Sequence, residues 1–421
     1  MITVDTPALA AALRALPADP RVVVSGNSSV PWELVRILDE HVPSYVLNTL
    51  NGPPGLPERE GVVAETSFVG AGQRRHPGLR YVPSRLSLVP VLFRRALPVD
   101  AVLLHCSPPR DGVVSLGIEV NVLPAAIEAC RERGGLVVAQ INDRMPFTHG
   151  DALVPVEHVD LAVATSSELP SPPTGVPLGE DARVIGERVA AMVPDGATLQ
   201  MGIGTVPDAV LAALTGHRGL RLWTEMFSDG VLALDAAGAL DDEHPLTTSF
   251  LFGSPELYAW LDGNRRVHLL RTERTNDPAL IARQRSMTSI NTALEVDLFG
   301  QANASRIDTR IHSGFGGQTD FIVGALHSQG GQAIMALRSW HPKADVSTIV
   351  PMVDEPVTSF QASAIVTEQG VAPLFGHSEK DQARHLIERA AHPRVRAELW
   401  EEAHHLGLAS RESSRQGPGD R

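Results

Sequence analysis

Short apolar runs rich in Val, Leu and Ala recur through the first half of the chain, at Arg21–Ser25, Tyr45–Asn48, Ala101–Cys106, Leu136–Asn142 and Val159–Thr165. Runs this short and this uniformly apolar predict strands covered on both faces. Between them, Pro31–Leu38 and Pro124–Arg133 carry the apolar spacing of helices. Strands alternating with helices imply a mostly parallel sheet, because parallel neighbours need a crossover connection.

The pattern breaks at residues 166–178, SSELPSPPTGVPL, where four prolines and no apolar period read as a linker. It then restarts with Val184, Ile185, Val189 and Met192 on one helical face and an Asp195-Gly196 turn. Strands are predicted at Thr198–Met201, Leu220–Thr224, Val267–Arg271, Ser289–Leu298, Thr348–Met352 and Ser363–Thr367. Asp277-Pro278 opens a helix with an N-cap and a proline in the first turn, and helices from Ser378 and His392 close the pattern. The polar tail from Ser410 has nothing to bury and is expected to be disordered. The expected architecture is α/β: two tandem open, mostly parallel domains at 1–178 and 179–409, then a tail at 410–421.

Composition narrows the class of partner. With 20% charged and 43% hydrophobic residues the chain is that of an ordinary globular protein, and a net charge of −13 argues against nucleic acid or an anionic membrane surface. Cys106 and Cys130 show no CxxC spacing and read as buried reduced thiols. No apolar run approaches the ~18 residues of a membrane span, and the N-terminus lacks a signal-peptide pattern, so a cytoplasmic enzyme is expected.

Candidate chemistry begins at Leu199, where LQMGIGTVPDAVLAAL reads as strand, glycine turn and helix. Pro207 occupies the third glycine position of a dinucleotide fingerprint, and the next strand ends Trp-Thr-Glu rather than in the spaced acidic residue of a ribose site. A nicotinamide or flavin site is therefore disfavoured, although the Gly202 and Gly204 turn still offers backbone N–H groups to an oxyanion. Glu225 falls at the carboxyl end of a predicted parallel strand, where open sheets present their sites. There it would be a nucleophile or a base, with a helix cap or an Arg pair as the structural alternative. Glu295 and Glu368 are further candidate carboxylates that spacing does not rank. GFGGQTDF from Gly314 places Gly314, Gly316 and Gly317 within four positions, suiting close approach to a ligand or a plain tight turn. Sixteen histidines show no paired metal spacing, so no metal is expected, and no Gly-x-Ser-x-Gly elbow supports a serine hydrolase.

Taken together, SPPRDGVVSLG from Ser107, QINDRMP from Gln140, DGATLQMGIGTVPDAV from Asp195, WTEMFSDG from Trp223, TNDPALIA from Thr275, INTALEVDLFGQ from Ile290, GFGGQTDF from Gly314 and VTEQGVAPLFGHS from Val366 resemble the acetyl-CoA hydrolase/transferase family. The likeness spans nearly the whole chain. It implies two tandem domains of similar CoA-transferase-like fold with the active site between them and a nucleophile at Glu225. By motif, Asn276 and the Gly317 N–H would serve the oxyanion, assisted by the turn of Met201, Gly202, Ile203 and Gly204. Glu368 would orient the reacting carboxylate, and Gly314, Gly316 and Gly317 would contact CoA. The implied activity is CoA transfer from an acetyl-, butyryl- or 4-hydroxybutyryl-CoA-like donor to a free carboxylate by ping-pong chemistry through a glutamyl thioester. CoA and acyl-CoA enter as substrates, with no tightly bound cofactor, and a homodimer or higher homo-oligomer is expected. Hydrolysis in the same site, or a weak CoA-binding paralogue, are the alternatives. The chain departs from the family at Ala372–Ser378, where Phe375 and His377 replace cations, so His377 is expected to make any phosphate contact pH dependent.

Overall fold

A computed structural model describes residues 1–172, 178–202 and 204–409. The predicted tail at 410–421, residue 203 and residues 173–177 of the proline-rich linker lie outside them.

Two main sheets carry the fold. The first has eight strands, all parallel, in the order Ile2–Thr3, Leu161–Thr165, Leu136–Asn142, Ala101–Cys106, Arg21–Val24, Tyr45–Asn48, Val62–Thr66, Leu79–Tyr81. Every residue of Ala101–Cys106 is buried, as its unbroken apolar run requires. The second has six, ordered Arg221–Leu222, Thr198–Met201, Met287–Asn291, Gln332–Ala336, Ala364–Val366, Val371–Pro373, with only the last antiparallel. The strand order reverses between Thr198–Met201 and Met287–Asn291, the switch point outside whose carboxyl ends a crevice opens. Cys106 and Cys130 are buried and unpaired.

Several predicted strands are shorter or divided. Ser289–Leu298 is two strands: Met287–Asn291 enters the main sheet, while Glu295–Asp297 joins a small sheet with Ala302–Asn303 and Ile349–Val350. Thr348–Met352 contributes only those last two residues, outside the main sheet. Leu220–Thr224 contracts to Arg221–Leu222, because the Thr224 hydroxyl bonds the backbone locally and turns the chain. Val62–Thr66, Leu79–Tyr81 and the central strand Gln332–Ala336 were not foreseen from the apolar pattern.

The halves share a continuous core. Its largest apolar cluster joins Val102, Val120 and Val137 of the first half to Ile185, Leu199 and Leu251 of the second. His149–Gly150 adds to the strand Val267–Leu269, and Arg271 and Arg274 pair across the seam with Glu128 (2.6 Å) and Asp151 (3.2 Å).

Candidate active site

Glu225 is placed by its backbone before its side chain. Thr224 Oγ1 accepts from the Met201 N–H at 3.2 Å and lies 2.9 Å from the Met226 carbonyl, which ties the turn to the end of the neighbouring strand. The Glu225 carbonyl accepts three hydrogen bonds, from Ser249 N–H (2.9 Å), Phe250 N–H (3.1 Å) and Thr248 Oγ1 (3.2 Å). Its carboxylate is thereby aimed into a cavity of about 210 Å³ at the switch point, walled by Met201, Gly202 and Asn291 on the sheet side and by Phe68, Phe315 and Phe321 opposite.

Among the described residues, one donor reaches that carboxylate. Asn276 Nδ2 lies 2.8 Å from Glu225 Oε2, and Thr275 Oγ1 donates to Asn276 Oδ1 at 2.8 Å, which fixes the amide with its N–H₂ toward the glutamate. Asn276 is fully buried, held by its own N–H to the Thr272 carbonyl at 3.0 Å. Gly317 closes the third side: a Cβ there would sit 1.9 Å from Glu225 Oε2 and 2.2 Å from Asn276 Nδ2. Its φ of −98° suits any residue, so the glycine is required for space and not for backbone freedom.

The glycine loop is itself held between the halves. Val69 N–H donates to the Ser313 carbonyl (2.7 Å) and Leu86 N–H to that of Gly316 (3.0 Å). Gly316 has φ +55°, and a Cβ on Gly314 would meet the Ser67 carbonyl at 2.7 Å.

Enclosure by protein pushes the Glu225 carboxyl up to about 7; the Asn276 bond opposes the rise and the charge of Asp320 adds to it. Asp320, on the helix after the loop, is raised to about 6, chiefly by burial, against hydrogen bonding from Ser87 and the charge of Arg85. Glu225 is the one titratable side chain among the described residues lining the cavity. A carboxylate so placed, raised in pKa and facing apolar walls, is suited to attack an electrophilic carbonyl.

The chain is similar along its length to proteins of known chemistry. Residues 71–172 match the acetyl-CoA hydrolase/transferase N-terminal domain and 253–403 the C-terminal domain. It is 39% identical over 407 residues to a 4-hydroxybutyrate coenzyme A transferase of Clostridium kluyveri, spanning 91% of this chain and 93% of that one. The chain belongs to the acetyl-CoA hydrolase/transferase family. A succinyl-CoA:acetate/propanoyl-CoA:succinate CoA transferase of Fasciola hepatica is 35% identical, over 90% of this chain and 83% of its own. Among solved structures, a 4-hydroxybutyrate CoA-transferase of Porphyromonas gingivalis superposes with TM-score 0.81 at 29% identity, covering 96% and 98% of the two chains. RipA of Yersinia pestis does so with TM-score 0.88 at 26% identity, covering 96% and 100%.

Within this family member the predicted site residues fall into two groups. Glu225, Asn276, Met201, Gly202, Gly314, Gly316 and Gly317 meet at the cavity, and Gly204, φ +116°, caps the adjoining helix Thr205–Ala213. Ile203 lies outside the described residues. Glu368 is elsewhere: its carboxylate is engaged by the Ser339 N–H at 2.9 Å, by the Ser339 hydroxyl and by Gln369. Burial opposes its ionisation, but these bonds prevail and hold its carboxyl below the usual range. His377 is exposed and packs edge-on against His385, and neither it nor Glu368 lines the Glu225 cavity. Glu295 accepts from Asn303 at 2.8 Å, also away from the cavity. Two buried carboxylates near the site escaped the sequence reading, Asp320 and Glu119. Asp320 sits within the quoted glycine motif, so its place beside the loop was a usable signal; nothing in its spacing marked Glu119.

Proposed function

We propose that this protein transfers coenzyme A from a short acyl-CoA to a free carboxylate, with Glu225 as nucleophile. The observation that carries this is a partly buried carboxylate facing a mostly apolar cavity and bonded, among the described residues, by one buried amide. The Glu225 carboxylate attacks the thioester carbonyl, the C–S bond breaks and CoA leaves as thiolate, giving an acyl-glutamyl anhydride. The thiolate then attacks the glutamyl carbonyl, the anhydride C–O bond breaks and the first carboxylate departs. A second carboxylate reverses these steps on the glutamyl-CoA thioester, so the thioester bond energy is retained covalently and the kinetics are ping-pong.

Each tetrahedral intermediate develops an oxyanion, for which Asn276 Nδ2 and the Gly317 N–H are the nearby donors. Apolar walls of Phe68, Phe315 and Phe321 favour transfer over hydrolysis by limiting water at the glutamyl carbonyl. The 4-hydroxybutyrate and succinyl-CoA transferases among its relatives support the reaction class and leave the acyl group open.

The test is to incubate the enzyme with acetyl-CoA or butyryl-CoA without acceptor, treat with borohydride and map peptides by mass spectrometry. Reduction of Glu225 to its alcohol is expected. A mark on Glu295 moves the nucleophile, and CoA release with no mark replaces transfer by direct hydrolysis.

A further inference from the structure

Glu119 is 2% exposed and, among the described residues, has no ion-pair partner. Its two oxygens accept from Asn27 Nδ2 at 2.8 and 3.0 Å, and Asn121 Nδ2 adds a third bond at 3.3 Å. Asn51 Nδ2 in turn donates to Asn27 Oδ1 at 2.8 Å. All three asparagines have left-handed backbone, φ +48°, +47° and +43°, which asparagine tolerates better than most residues. A carboxylate buried among neutral amides is costly unless it serves the fold or the chemistry around it.

What surrounds it leads directly to the reacting pair. Residues 118–121 zip antiparallel onto 249–251, with Val120 N–H to the Ser249 carbonyl and Leu251 N–H to that of Ile118, both 3.0 Å. The Ser249 and Phe250 N–H groups are the same ones that hold the Glu225 carbonyl. On the other side the Asn121 carbonyl accepts from Thr272 N–H at 3.1 Å, and the Thr272 carbonyl accepts from Asn276 N–H at 3.0 Å. Two short chains of bonds thus run from the Glu119 cluster, one to the nucleophile and one to its amide partner.

We propose that Glu119 is a positioning residue for the transfer reaction, holding Glu225 and Asn276 in register across the seam through Asn121 and the Ser249–Phe250 segment. This rests on Glu225 being the nucleophile. The charged groups that bear on it are few. Burial raises the Glu119 carboxyl to about 8, against its amide bonds, and Glu225 is the charge facing it; Asp320 faces Glu225, with Arg85 3.7 Å from Asp320.

The sign of a pH shift separates positioning from charge. If Glu119 acted by repulsion, neutralising it would lower or leave the acid limb of kcat/KM. If it positions Asn276, its loss weakens the bond that holds Glu225 down, and the limb moves upward. The experiment compares full-length wild type, Glu119→Ala, Glu119→Gln, Asn276→Ala and the Glu119→Ala/Asn276→Ala double variant, after borohydride labelling of the wild type.

Expected for Glu119→Ala are a kcat lowered about 100-fold, as for a 1 Å misplacement, a KM for acyl-CoA within about threefold and an acid limb moved up from about 7. Glu119→Gln keeps an acceptor oxygen for the amides and should recover to within about tenfold of wild type. The double variant should be no worse than Asn276→Ala. Losses that multiply in the double variant, or an acid limb that stays or falls, overturn the inference. Should Glu119→Ala not fold, Glu119→Gln is read alone: recovery to within about tenfold is expected, and a loss as large as that of Asn276→Ala overturns the inference. A wild type that carries no label at Glu225 overturns the underlying reading as well, whereas a labelled wild type with multiplying losses overturns this inference alone.

Discussion

Gly317→Ala is the sharpest single perturbation of the site. The substitution adds one methyl group at a residue whose φ of −98° strains no side chain, so any effect comes from space alone. That methyl would stand 1.9 Å from Glu225 Oε2, where real Cβ contacts do not fall below 3.0 Å, so atoms must part by at least 1.1 Å. The nearest atoms are the carboxylate oxygen and the Asn276 amide nitrogen 2.2 Å away, and the Asn276 side chain is locked by Thr275. The carboxylate is therefore displaced and the 2.8 Å bond stretched or broken. A displacement of about 1 Å costs on the order of 100-fold, or about 2.7 kcal/mol of barrier. The assay is single-turnover release of CoA from acyl-CoA, with Gly216→Ala, outside the cavity, as control, since a Cβ there meets nothing within 4 Å. A Gly317→Ala enzyme retaining more than about a tenth of the wild-type rate would refute the claim that this pair must sit where it does.

Asn276→Ala should lower kcat by about 2.7–4 kcal/mol if its amide serves the oxyanion, and should move the acid limb above 7 because the bond that favours the charged form is gone; an effect on KM alone would remove that role. In the wild type, kcat/KM for acyl-CoA should fall as pH drops through about 7, since protonated Glu225 is not nucleophilic. Stability carries the opposite sign: with its folded pKa raised from 4.5 to about 7, Glu225 keeps its proton longer in the folded state, so the burial penalty is absent below about 4.5, accrues between the two values and is complete above. Glu225→Gln should therefore stabilise the fold by up to roughly 3 kcal/mol at pH 8 and by little at pH 5, read by thermal melts; equal shifts at both pH values would contradict it. Glu368→Gln should cost less than about tenfold in kcat, because its carboxylate is engaged with Ser339 rather than with Glu225.

The fold class was written in the apolar pattern because a buried parallel strand needs apolar residues on both faces. Ala101–Cys106, Tyr45–Asn48, Leu136–Asn142 and Thr198–Met201 appear with the predicted bounds. Where that requirement is weaker, the pattern misled: Leu220–Thr224 and Ser289–Leu298 look like single strands, but side-chain bonds from Thr224 and a separate small sheet divide them. Gln332–Ala336, central in its sheet, follows Gly330-Gly331, opens on a polar Gln and holds one β-branched residue, Ile334, so its composition does not mark a strand.

The site divides the same way. Local chemistry marks Glu225 at a strand end, the three glycines of the loop and the Asn276-Asp277-Pro278 turn, because each depends on neighbours in sequence. Which carboxylate among Glu225, Glu295 and Glu368 faces the cavity depends on strand order, and only the tertiary structure decides it, by turning Glu225 toward Asn276 and Glu368 toward Ser339. Glu119 and Asp320 acquire meaning in the same way: a carboxylate's ionisation is set by what encloses it, and enclosure is a property of segments far apart in the chain.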